Sequence, residues 1–153
     1  MNAIKELYKL CGSDDISITV LREKISQLSI SADDVTRETY NKHPFLHSVC
    51  MNEKVTLEMV ECVTDSFPGV VSWQTDVFDD SIIRGAKTAS FALHCACYNQ
   101  YCPTSVIKLL FKEHTSGIDC LTRIFNGVHE WGVKGIPLHY YLVPSMLLYI
   151  VHV

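Results

Sequence analysis

The sequence predicts an all-α fold built of helix-turn-helix repeats, a solenoid with long loops between its units, and three observations predict it. The phrase Leu46-His47-Ser48-Val49-Cys50-Met51-Asn52 returns as Leu93-His94-Cys95-Ala96-Cys97-Tyr98-Asn99, displaced by 47 residues without a gap. Self-similarity at a spacing of a few tens of residues marks stacked units, none of which can bury its apolar face alone. The stretch after each phrase has helical period. The composition, 48% hydrophobic and 20% charged over 153 residues, is that of a folded chain with a real core. One repeat domain over 1–153 is the expected organisation.

The first unit opens near residue 7, where Leu7-Tyr8-Lys9-Leu10-Cys11 stands in for the phrase and Ile16-Ser17-Ile18-Thr19-Val20-Leu21 for the start of a second helix. The second opens near 46. Its second helix follows Val55, with Met59, Val60, Val63 and Phe67 on one stripe and Glu58, Glu61 and Asp65 pointing away. Thr56 suits the N-cap, and Phe67-Pro68-Gly69 stops the helix. The third unit opens near 93, and Cys102-Pro103-Thr104-Ser105-Val106-Ile107-Lys108-Leu109-Leu110 matches the segment from Val55 to Val63. Pro103 falls opposite Thr56, where a missing N–H costs nothing because the first turn has no intrahelical acceptor for it. A fourth unit opens near 138 with Pro137-Leu138-His139-Tyr140-Tyr141-Leu142 and stops early.

The Pro-Leu-His turn followed by two short helices resembles the ankyrin repeat, whose signature is Thr-Pro-Leu-His-x-Ala in about 33 residues. Pro137-Leu138-His139 matches directly, and Leu93-His94-Cys95-Ala96 and Pro44-Phe45-Leu46-His47 match in part. The chain looks like the long-period, divergent ankyrin-type arrays common in unicellular algae. Its spacings exceed the family period, so the extra residues are expected between units, chiefly in 70–89 and 115–135. The resemblance implies a structural signature at Leu46, His47, Cys50, Leu93, His94, Ala96, Cys97, Pro137, Leu138 and His139. It also implies that the repeated His hydrogen-bonds backbone near the inter-repeat turn, and that loops and inner helices line a concave binding face.

Charge and cysteine usage narrow the function. A formal net charge of −4 with no Lys/Arg cluster argues against nucleic acid as a partner, since that affinity rests on clustered cations. The mixed-charge start, Met1-Asn2-Ala3-Ile4-Lys5-Glu6-Leu7, is no secretory signal. Seven cysteines, with Cys50, Cys95 and Cys97 inside the apolar phrase, read as buried thiols in a reducing, intracellular and cytoplasmic setting. Cys95, Cys97 and Cys102 with His94 imitate a zinc ligand set, but the spacing is not kept between units, because Ser48 and Val55 stand where Cys95 and Cys102 would be. No phosphate-cradling glycine loop or His-Glu-x-x-His pair is present. The expectation is no enzyme, no metal and no cofactor, with a thiol- or metal-dependent activity around those three cysteines as the outlying alternative.

An interaction scaffold is the remaining class. Trp73, Asp76, Phe78, Asp79 and Asp80 in the loop after the second unit combine aromatic anchors with an acidic rim, and Trp131 is a further candidate. A basic segment of another protein would suit them. The equal alternative is that Trp73 and Phe78 cover the neighbouring core. The stretch 136–153 carries no Asp, Glu, Lys or Arg. It reads as an uncapped repeat end that would favour self-association or a partner, and a membrane-tethered adaptor is the rival reading.

Overall fold

The computed structural model describes residues 3–73 and 92–113, with the side chains of His94 and Tyr98 outside that description. The chain divides into Met1–Ser116 and Gly117–Val153, and every described residue belongs to the first unit. The described residues are helical, without a strand, as the all-α expectation requires. The expectations for the fourth repeat, for 115–135 and for 136–153 lie outside them.

Seven α-helices form in chain order: α1 (Ala3–Cys11), α2 (Ile18–Leu28), α3 (Arg37–Lys42), α4 (Phe45–Met51), α5 (Leu57–Ser66), α6 (Ala92–Tyr98) and α7 (Thr104–Glu113). Short 3-10 turns occupy Ala32–Asp34 and Val70–Ser72. Helices α1 and α2, α4 and α5, and α6 and α7 pack in consecutive pairs. Across the pairs, α4 lies against α1 and α6, while α5 lies against α2 and α7. The first helices of the pairs thus form one row and the second helices another.

Local chemistry accounts for the helix ends. Ser17 and Thr56 cap α2 and α5 by accepting from the backbone N–H groups of Val20 and Met59, at 3.2 and 3.3 Å. Pro103 holds the corresponding place before α7, and its carbonyl accepts from Val106 N–H at 3.0 Å. Helix α5 ends at Ser66. Phe67 turns inward, and Gly69 takes φ +94°, a left-handed conformation that a Cβ would strain. The 3-10 turn at Ala32–Asp34 is held by a reciprocal capping box between Ser31 and Asp34.

The core follows the repeated phrase. Leu7, Leu46 and Leu93 are each fully buried at the same place in the first helix of a pair. Burial on this scale contributes about 1.5–3 kcal/mol per leucine. Met59, Val60, Val63 and Phe67 are buried while Glu58, Glu61 and Asp65 are exposed, which matches the stripe read from the sequence. Val106 and Leu110 repeat the pattern in α7. One part of the stretch read as a loop departs from expectation. Val70 and Val71 are buried in a 3-10 turn that packs on α6 and α7, because two adjacent apolar β-branched residues gain more from the core than from water.

Candidate functional site

Side chains join consecutive helix pairs at their junctions. Asn52 caps the end of α4, and its Nδ2 donates to the carbonyls of Cys11 and Ser13 at 3.2 and 3.0 Å. Its Oδ1 accepts from Lys54 N–H at 2.9 Å. Asn99, 47 residues on, does the same at the end of α6: Nδ2 donates to the carbonyls of Cys50 and Asn52, both at 2.9 Å, and Oδ1 accepts from Tyr101 N–H at 3.0 Å. One amide side chain therefore satisfies two main-chain acceptors of the preceding pair and one donor of its own turn. Its geometry requires both the NH2 and the C=O of an amide.

A second connection is aromatic. Tyr40, on the short helix α3, is fully buried, and its hydroxyl lies 2.8 Å from His47 Nδ1. Its ring meets Phe45 and Trp73 edge-on at 5.3 and 5.0 Å, and Phe45 in turn meets Phe67 at 5.1 Å. Such tilted pairs present a ring's positive edge to a neighbour's negative face. Burial, then the nearby thiols of Cys50, Cys95 and Cys11, hold the Tyr40 phenol well above its ordinary range. It remains a neutral hydrogen-bonding group.

The sequence-predicted residues fall into three groups. Leu46, His47, Cys50, Leu93 and Ala96 are buried, and Cys97 is half-buried. His47 shares a 2.8 Å hydrogen bond with the side chain of Tyr40. Trp73 lies half-buried, its ring 5.0 Å from that of Tyr40 in a T-shaped pair. Asp76, Phe78, Asp79, Asp80, Trp131, Pro137, Leu138 and His139 lie outside the described residues, as does the 136–153 tail. His94 lies on α6.

Sequence reading passed over Tyr40. Its helix spans six residues, too short for a 3.6-residue period to show, and its partner His47 belongs to the next element. The only local signal is the Thr36 N-cap, which accepts from Thr39 N–H at 3.3 Å.

Burial disfavours ionisation of several thiols among the described residues. Cys11, Cys50 and Cys95 are buried, and burial raises each thiol above its ordinary range; it pushes Cys102 up to about 12. A thiol so shifted holds little thiolate at neutral pH. Among the described residues, no group of three or more His, Cys, Asp or Glu side chains gathers around a point where a metal ion could sit. None of their helices is long and apolar enough to cross a membrane. No family model, curated protein or solved structure matches the chain.

Proposed function

We propose that this chain is a non-catalytic protein-interaction scaffold of the ankyrin-repeat type, in which stacked helix pairs hold loops and helix faces at fixed spacing for a partner protein. The observation that carries the reading is the pair of equivalent asparagines. Asn52 and Asn99 donate to equivalent carbonyls of the pair before them, across offsets of 39 and 47 residues for their terminal acceptors. Repeated side-chain bonds of this kind favour a rigid stack, and rigidity lowers the ordering cost of binding. The protonated, buried thiols support a role without covalent chemistry.

Affinity capture tests it, using the full chain and a Trp73→Ala, Asp79→Ala, Asp80→Ala variant whose helicity matches the parent by circular dichroism. A protein retained by the parent and lost from the variant supports the scaffold and locates its loop face. Capture of no protein by either chain overturns it.

A further inference from the structure

We infer that the surface carrying Lys5, Tyr8 and Lys9 of α1, with Lys42 and His43 at the end of α3 beside it, binds a short acidic segment of a partner protein. The inference rests on the scaffold reading and adds a second face to it, of opposite sign to the acidic residues Asp76, Asp79 and Asp80.

Lys5 and Lys9 stand one turn apart on the exposed side of α1. Glu6, between them in sequence, is drawn chiefly to Lys24 of α2 in a 2.8 Å ion pair, with Lys9 a weaker influence on its carboxylate. Among the described residues, neither Lys5 nor Lys9 forms an ion pair. Helix α3 brings the remaining groups. It ends at Lys42, and His43 follows with its ring 5.6 Å from that of Tyr8. Partial burial, then Lys5 of α1 and Lys42 at the end of α3, hold the His43 imidazole below its ordinary pKa. Lys42 has a partner in Glu38 at 3.0 Å, but both ends of that pair are more than half exposed, and such a pair is readily exchanged for another carboxylate.

The patch inverts the sign of the chain, whose formal net charge is −4. That contrast decides the class of ligand. A duplex binder neutralises roughly 6–10 phosphates, and an anionic leaflet draws segments of roughly 4–8 Lys/Arg. Three lysines inside a net-negative chain fall short of both. A peptide needs fewer contacts, and carboxylates spaced along it can meet Lys5, Lys9 and Lys42 while an apolar side chain lies on the half-buried ring of Tyr8.

Fluorescence anisotropy of a labelled short oligoglutamate peptide, titrated with the full chain at low salt, tests the inference. Saturable binding that weakens with added salt is expected. Each exposed charge pair changes affinity by roughly two- to fivefold, so Lys5→Glu with Lys9→Glu should weaken binding by about tenfold or more. Both side chains are exposed, and unchanged helicity would show the variant folded. Lys112→Glu, on α7, should leave binding as it is. Unchanged affinity in the double variant, or tighter binding of oligothymidylate or phosphatidylserine vesicles than of oligoglutamate, would overturn the inference. Failure of the peptide to bind, with protein capture still dependent on Trp73, sinks this face and leaves the scaffold reading intact. Binding through Lys5 and Lys9 with no protein captured does the reverse.

Discussion

Replacing Asn99 by alanine removes three hydrogen bonds at one junction: two donated to the carbonyls of Cys50 and Asn52, and one accepted from Tyr101 N–H. Each is worth about 0.5–1.5 kcal/mol net, so the loss should be about 2–4 kcal/mol, a large share of the roughly 5–15 kcal/mol that holds a typical domain. With a urea slope of about 1–3 kcal/mol per molar, the unfolding midpoint should fall by about 1–2 M. Asn99→Asp sharpens the test. It keeps the shape and the acceptor for Tyr101 but sets a carboxylate against two carbonyl oxygens, and should therefore cost more than alanine at neutral pH. Gln100→Ala, one residue on and exposed, is the control and should move the midpoint little. Unfolding followed by circular dichroism reads all three. A loss below about 0.5 kcal/mol for alanine, or an aspartate variant as stable as the parent, would show that these bonds do not hold the helix pairs together.

Three further outcomes are expected. Tyr40→Phe keeps the ring contacts and removes the hydroxyl beside His47 Nδ1, which should cost about 1–3 kcal/mol in urea unfolding. Burial, aided by Lys5 and Lys42, lowers the folded-state pKa of His43, so as pH falls through the usual histidine range the unfolded chain takes the proton first and stability drops; His43→Gln should therefore gain on the parent between pH 7.5 and 5.5, read as the difference in urea midpoints. Iodoacetamide should modify the half-buried Cys62 and Cys97 before the buried Cys11, Cys50 and Cys95, with peptide mass spectrometry reporting the order.

Much of the secondary structure was legible because it rests on local chemistry. The stripe Met59, Val60, Val63 and Phe67, the Thr56 cap and the Phe67-Pro68-Gly69 stop all rely on contacts within a few residues of each other, and all three appear where expected. Alignment of Leu7 with Leu46 and Leu93 also located equivalent buried positions, because close packing restricts what those places accept. Helix α3 and the inward turn of Val70 and Val71 were not legible, since six- and three-residue elements are too short to display a period. The asparagines were visible as repeated letters, yet their work was not. Their acceptors are main-chain carbonyls 39 to 49 residues away, and a carbonyl carries no trace in the sequence of what donates to it. Of the candidate site, Trp73 was found as an aromatic, while its neighbour Tyr40 was not.

The asparagine bonds also set how this chain can tolerate insertions. The two offsets, 39 and 47 residues, differ by eight, yet the amide meets equivalent acceptors in both cases. The added length is taken up between helix pairs, where loop closure grows only logarithmically and each doubling costs about 0.6 kcal/mol. The acceptors are main-chain carbonyls of the preceding pair's own turn, so the spacer beyond that pair can lengthen while the anchoring amide still finds them. Residues grafted directly after α2, ahead of α3 and its buried Tyr40, or between Trp73 and α6, should therefore be accepted far more readily than a single residue placed between Asn52 and Lys54, where the side chain and its own turn are in fixed register.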